Sequence, residues 1–316
     1  MKLISLPEEL LEIILVVTIT NEFYLKLLRH VCRKIRTTII KLITVGRITI
    51  PKQGSINHAW IVREGHINLL QWAWYNLYSG KMDICGIASY HNHFHILNWV
   101  SQNGYPPINA NICSNAALNG NLLMLQWARS NGCPWNSTTC SNAALNGHLN
   151  ILKWAHQKDC PWDERTCSSA AYSGHIEILK WARKNGCDWN ERTCESAAAR
   201  GYLGILQWAH KNNCPWDSET CSQAALNGHL KILQWAHKNN CPWDYITCAN
   251  AAYSGHLKVL KWAREHNCPW TSWTCTQAAL TRQLEILKWA HKNNCPCDDV
   301  QGHMLLIQEL EQSTKT

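Results

Sequence analysis

The sequence lacks the short motifs by which many enzyme active sites are recognised. It has no nucleophile elbow and no phosphate-binding loop, and no pair of carboxylates stands out at a site that is not repeated elsewhere in the chain. Histidine recurs after glycine, but catalysis does not need copies, so we interpret this histidine as structural and as bonding backbone at a turn. The recurring histidines are His148, His175, His229 and His256. We predict no enzymatic activity, no catalytic residue and no cofactor.

Charge is scarce as well, because only 16% of the residues are charged and the formal net charge is +8. Residues 1–52 hold nine Lys or Arg against four acids, and the remaining 264 residues hold 21 against 18. The basic residues of the first segment are few and are scattered among isoleucine and threonine, unlike a nucleic-acid footprint. We expect no nucleic-acid partner and no membrane partner.

Cysteine is abundant, with 17 residues, but close pairs of the zinc-binding kind are scarce. Zinc sites commonly use C-x₂₋₄-C pairs, whereas the regular spacing here is that of Cys133 and Cys140, and the single closer pair is Cys295 with Cys297. Equivalent cysteines in a helix stack lie about 10 Å apart, beyond the reach of about 7 Å between disulfide Cα atoms. The chain starts with a charged, amphipathic segment without a signal-peptide cleavage site. We predict a cytoplasmic protein with reduced, buried thiols, no disulfide and no metal.

One 27-residue pattern is repeated along the chain. Cysteine recurs at this step, and tryptophan follows it in two series. The positions are Cys133, Cys160, Cys187, Cys214, Cys241, Cys268 and Cys295, with Trp127, Trp154, Trp181, Trp208, Trp235, Trp262 and Trp289, and with Trp135, Trp162, Trp189, Trp216, Trp243 and Trp270. A period of this size indicates a repeat array. Fainter copies extend it back to about residue 57, which gives nine units.

Each unit is predicted to form a helix, a turn, a second helix and a short loop. Apolar residues make one helical face over residues 166–173 and another over residues 176–184, with Gly174 between them. Asp163 or Asn190, just before a first helix, is an N-cap candidate. Helices under about 12 residues are marginal alone, so neighbouring units must stack. Paired alanines would let first helices approach closely, while Leu, Ile and Trp would fill the space between units.

The repeated string resembles the ankyrin repeat over about three quarters of the chain. It reads T-C-x-x-A-A-x-x-G-H-L-x-I-L-x-W-A-x-x-N-x-C-P-W-D, with a period of 27 where ankyrin has 33, and with cysteine in place of the first-helix proline. The resemblance implies an all-α, ankyrin-type helix-turn-helix solenoid whose β-hairpins are shortened to tight turns. This variant is similar to repeats abundant in giant DNA viruses of amoebae and in some protists, which would place a viral protein in the host cytoplasm.

The first 45 residues lack the repeat and resemble an F-box domain, with the strings LPEELLEIIL and VCRKIR. The resemblance implies that this segment docks to the Skp-type adaptor of an SCF ubiquitin ligase. The implied docking residues are Leu6, Pro7, Leu10, Leu11, Ile14, Leu15, Val31 and Cys32. The alternative is a helix pair that only caps the solenoid. The predicted order is an F-box-like helical domain at 1–45, a linker at 46–56, nine repeats at 57–297, and a capping half-repeat with a tail at 298–316.

Specificity is expected where the units differ, at the loop edge and at the end of each first helix. Tyrosine, tryptophan and arginine are the usual anchors of protein interfaces. The target-binding candidates are Tyr172, Arg200, Tyr245, Tyr253 and Trp273. The alternative is that these are solvent-exposed positions whose residues have drifted. The CPW tryptophans are interpreted separately, as wedges between units.

The function predicted from these features is capture of a target protein of unknown identity by a monomeric repeat array, with the F-box-like segment recruiting a ubiquitin ligase. The alternative is a scaffold or competitive binder with no link to a ligase.

Overall fold

The computed structural model describes residues 58–67, 70–71, 74, 83–104 and 110–313. All regular secondary structure in these ranges is α-helical, which agrees with the predicted all-α class. The predicted F-box-like segment, its docking residues and the predicted linker all lie outside the described residues. The chain divides into two compact segments, 1–96 and 97–316.

In the first segment, α1 (His58–Arg63) packs against α2 (Ile84–Tyr90). The next helix, α3 (Phe94–Gln102), begins in the first segment and ends in the second. Asp83 caps α2 by accepting a hydrogen bond from the Gly86 amide at 2.8 Å. The core between α1 and α2 includes fully buried Ile61 and Ile84.

The second segment continues with seven pairs of nine-residue helices over residues 110–292, followed by one longer helix. The pairs are α4 (Ala110–Leu118) with α5 (Leu122–Ser130), α6 (Ser137–Leu145) with α7 (Leu149–Gln157), α8 (Glu164–Tyr172) with α9 (Ile176–Lys184), α10 (Glu191–Ala199) with α11 (Leu203–Lys211), α12 (Ser218–Leu226) with α13 (Leu230–Lys238), α14 (Tyr245–Tyr253) with α15 (Leu257–Glu265), and α16 (Ser272–Leu280) with α17 (Leu284–Lys292). The last helix is α18 (Val300–Ser313). The loops between units are short turns, as the missing residues relative to ankyrin predicted.

Helix starts follow the predicted capping residue. The Asp163 carboxylate accepts a hydrogen bond from the Arg165 amide at 3.1 Å, and Asp217 caps α12 in the same way. Because the cap lies directly before Glu164, α8 begins two residues earlier than its apolar pattern suggested. Among the described caps, Asn190 occupies the same slot but its side chain makes no cap hydrogen bond.

The units stack through their first helices. In residues 110–292 each first helix packs against its own second helix, and consecutive first helices pack against each other. The paired alanines from Ala116 and Ala117 to Ala251 and Ala252 are fully buried there, and Leu179 of a second helix is fully buried as well. The predicted roles of small first-helix residues and larger second-helix residues are therefore confirmed.

The turn between the two helices holds the next unit in register. A Cβ atom added to Gly147 would lie 2.8 Å from the His175 ring, and one added to Gly174 would lie 2.7 Å from the Tyr202 ring. The Nε2 atom of His148 also bonds the Leu118 carbonyl oxygen at 3.3 Å. The structural interpretation of the glycine-histidine pair is confirmed, since the imidazole contacts the backbone turn of the preceding unit.

Candidate protein-binding surface

Three of the five predicted binding residues lie where first helices end. Tyr172 is the last residue of α8 and is 44% exposed, and Tyr253 holds the same position in α14 with 47% exposed. Arg200 follows α10, and its guanidinium carbon lies 4.9 Å from the centre of the Tyr172 ring. The structure therefore joins Tyr172 and Arg200 in one cation–π contact between neighbouring units.

The other two lie where first helices begin. Tyr245 opens α14 with 42% of its surface exposed, and Trp273 is the second residue of α16 with 50% exposed. The helices α14 and α16 pack side by side. This edge thus presents two large aromatic side chains on adjacent units.

The five residues form two rows and not one cluster. A nine-residue helix rises about 12 Å from its first to its last residue, so Tyr245 and Tyr253 mark opposite ends of α14. We name these the start row (Tyr245, Trp273) and the end row (Tyr172, Arg200, Tyr253). The structure leaves the two rows separated by the length of a helix.

Sequence reasoning missed one member of the end row. Leu280, the last residue of α16, is 69% exposed and holds the slot of Tyr253 one unit further on. The signal was its position, because the slot was recognised as variable, but leucine is not among the usual interface anchors. An exposed leucine next to an exposed tyrosine extends the apolar part of the row.

The side of the second helices carries a ladder of half-buried tryptophans. Trp162 meets Trp181 of the following unit edge to face, with ring centres 5.8 Å apart, and His156 stacks on Trp162 at 4.1 Å. In other units an arginine takes the place of the histidine, as where Arg183 lies 4.2 Å over Trp189. The prediction that the CPW tryptophans are wedges between units is confirmed.

Most cysteines are buried thiols that form hydrogen bonds with neighbouring groups. The Cys187 thiol donates to the Asp163 carbonyl oxygen at 3.3 Å. The hydrogen bond with Cys187, followed by burial, raises the pKa of the Cys167 thiol far above its ordinary range, and burial raises the pKa of Cys113 to about 12. Since the thiolate is the reactive form, these residues act as small packing groups.

One pair contradicts the prediction that every cysteine is a reduced thiol. Cys275 and Cys297 form a disulfide, with Cα atoms 5.9 Å apart. The spacing argument was wrong here because it compared cysteines in equivalent slots. Cys297 stands in a tryptophan slot and meets the first-helix cysteine of its own unit, 22 residues earlier in the chain.

The prediction of no metal ligands rested on the same spacing argument. The Sγ atoms of Cys275 and Cys297 and one ring nitrogen of His303 lie within 4.8 Å of one another, so the three residues are close enough to bind one metal ion. Sequence reasoning did not find this group, because His303 lies outside the repeat and reaches the cysteines only through the packing of α18.

None of the helices in the described ranges combines the length and the apolar character that crossing a bilayer requires.

The comparisons with known proteins give structural matches alone. No protein-family model matches the sequence, and no curated protein is significantly similar to it. Among solved structures, the crystal structure of the human ASB11 ankyrin repeat domain is similar, with 14% identity over 50% of this chain and 84% of that chain, at a TM-score of 0.41. The fold assignment rests on the order and packing of the helices and not on this likeness.

Proposed function

We propose that this protein binds a partner protein through the two rows of exposed side chains at the ends of its first helices. The observation that carries the proposal is the exposure of Tyr172, Tyr245, Tyr253 and Trp273, each between 42% and 50%. On the same helices Ala171, Ala252 and Ala278 are fully buried, so these rings stand out as large side chains that remain accessible to a partner. Aromatic anchors of this kind dominate binding energy at protein interfaces.

The geometry suits an extended protein surface better than a small molecule. First helices lie side by side, so equivalent slots in consecutive units form continuous rows. The rows are carried by helices whose cores are buried, which limits the conformational entropy lost on binding. A partner that touches both rows would span the length of a first helix, about 12 Å.

The proposal is tested by cross-linking the full-length chain in its native cells and quantifying the proteins captured by mass spectrometry. A triple variant, Tyr245→Ala, Tyr253→Ala and Trp273→Ala, should lose most of the specific capture, since removal of an anchor typically costs about 2 kcal/mol or more. A matched double variant, Lys211→Ala and Lys238→Ala, removes exposed side chains from second helices and should capture as the parent does.

Equal capture by the triple variant and the parent would contradict the proposal. Circular dichroism of both variants must first show unchanged helix content, so that a loss of capture reports the surface and not unfolding.

Within this proposal, residues 1–45 recruit a ubiquitin ligase by docking to its Skp-type adaptor in the cytoplasm, the host cytoplasm in the case of a viral protein. The support is the F-box resemblance, in which Leu10 and Ile14 contribute to an apolar face too large for a short segment to bury by itself. Purified adaptor should be retained by the full-length chain and lost with Leu10→Asp, Ile14→Asp. If parent and variant retain the adaptor equally poorly, a scaffold without a ligase link is the better description.

A further inference from the structure

In the last unit the slot of the CPW tryptophan holds a cysteine, and this departure opens a gap in the tryptophan ladder. In earlier units a histidine at the end of the second helix stacks on the tryptophan six residues later, as His156 does on Trp162. His291 is the equivalent histidine on α17, but the residue six positions later is Cys297. The last unit therefore has a sulfur atom where six earlier units have an indole ring.

A second histidine reaches this gap from outside the repeat. His303 on α18 is only 8% exposed, and its ring centre lies 5.6 Å from that of His291. The buried Nδ1 of His303 and the buried Nε2 of His291 have no hydrogen-bond partner among the described residues. Buried polar atoms are nearly always paired, so two orphaned imidazole nitrogens beside two cysteines indicate a missing partner.

We propose that Cys275, Cys297 and His303 bind a divalent metal ion of the zinc type, with His291 as the fourth ligand. The ligand atoms of the first three already lie within 4.8 Å of one another. Two sulfur and two imidazole ligands form the usual closed, tetrahedral set of a structural zinc site. Within the described residues no other group of three such side chains converges in this way.

Metal binding would change the protonation state of the two cysteines. Cys275 and Cys297 must each lose a proton, so binding releases two protons from the reduced pair.

The disulfide and the metal are alternative states of the same two sulfur atoms. Reduction by an external thiol or phosphine adds two electrons and two protons to the Cys275–Cys297 bond and yields two thiols, which then exchange their protons for the ion. Either link joins α16 to the loop after α17. Only the metal also ties in α18, through His303.

The test uses the untagged full-length chain, reduced with a phosphine and kept free of oxygen. Added Zn²⁺ should bind at about one ion per chain, and Co²⁺ in its place should give the intense visible bands of tetrahedral coordination with a thiolate charge-transfer band. The Cys297→Trp variant restores the repeat residue, and His303→Ala removes the ligand from α18. Each should weaken binding by at least about tenfold.

Cysteines elsewhere supply the control, since Cys241→Ala removes a buried thiol from the slot of Cys295 two units earlier and should leave the stoichiometry and the cobalt spectrum unchanged. His291→Ala should also weaken binding at least about tenfold, and unchanged affinity would overturn its assignment as a ligand.

The proposal is overturned if the reduced parent binds no ion, which would leave the pair as a disulfide only. It is equally overturned if Cys297→Trp and His303→Ala bind as the parent does, which would assign the ion to other thiols. Should Cys297→Trp lose its helical circular dichroism, His303→Gln decides in its place, because glutamine keeps the size of the side chain and removes the imidazole.

Discussion

At the scale of single residues, the contact that recurs is a ring placed over a glycine of the preceding unit. Gly174 has φ of +83° and faces the Tyr202 ring, whereas Gly186 has φ of +85° with no described atom within 4 Å of its added Cβ. The first glycine is thus required twice, by its backbone angle and by the ring, and the second only by its backbone angle. Asn213 holds the slot of Gly186 one unit later with φ of +62°.

These two glycines give a matched prediction. Gly174→Ala should lower the stability of the stack by more than Gly186→Ala, because alanine at positive φ costs roughly 1–2 kcal/mol at both and meets the Tyr202 ring only at the first. The urea midpoints of the two variants and the parent, followed by circular dichroism, measure this order.

Gly186→Asn is the control, since asparagine is the residue that the chain itself uses in this slot. It should stay close to the parent. A Gly174→Ala midpoint no lower than that of Gly186→Ala would contradict the importance of the ring contact.

At the scale of the helices, sequence patterns predicted much because each boundary is marked by a residue with a local effect. The spacing predicted a helix over residues 176–184, and α9 covers those residues, since a glycine turn precedes it. The cysteine chemistry of the last unit could not be predicted in this way. Cys275 and Cys297 meet because the two helices of the last unit fold back on each other, and a cysteine in the tryptophan slot gives no local signal of its partner.

The exposure of the binding candidates was predictable only in part for the same reason. Tyr172 and Arg200 were chosen as variable residues, but their mutual contact joins helices of neighbouring units. Whether these rows bind a target stays a prediction.

The cap of α8 gives a prediction about pH. Hydrogen bonding from the Arg165 guanidinium holds the pKa of Asp163 below its ordinary 3.8, with the two side chains 2.6 Å apart. A carboxylate whose pKa is lower in the folded state stabilises that state above pH 3.8, and the contribution is lost as the pH falls through the folded value.

Asp163→Asn keeps an oxygen that can accept from the Arg165 amide but removes the charge. The variant should be slightly less stable than the parent at pH 7, by under about 1 kcal/mol because the pair is partly exposed, and the difference should shrink as the pH falls below 3.8 and through the lower folded pKa. Urea midpoints measured over this range test the prediction, and parallel curves for parent and variant would contradict it.

At the scale of the whole molecule, the segment 97–316 is a stack of nearly equivalent repeat units, because each pair of helices offers its neighbours nearly the same faces. Cys187 bonds the carbonyl of Asp163 and Cys214 bonds that of Asn190, each 24 residues earlier. Stability in such a stack is approximately a sum of unit and interface terms.

Removal of one complete unit should therefore leave a folded stack. Deletion of residues 191–217 joins Asn190 to Ser218, both in their usual slots, and brings His229 over Gly174. The shortened chain should keep its helix content per residue and lose roughly one interface of stability, as followed by circular dichroism during urea unfolding.

Deletion of residues 191–204, about half a unit, is the control, and it should disrupt the fold because it removes the first helix α10 and joins Asn190 to the third residue of the second helix α11. Equal helix content in the two deletions would contradict the modular description.

The histidine bond across the turn, which joins residues 30 apart in the chain, also bears on how the protein is made. A helix pair waiting at the ribosome exit needs only about one further unit of chain before its exposed face is covered. At roughly 5–20 residues per second, that interval is a few seconds, so the exposed face of each unit waits only that long for the synthesis of the unit that covers it.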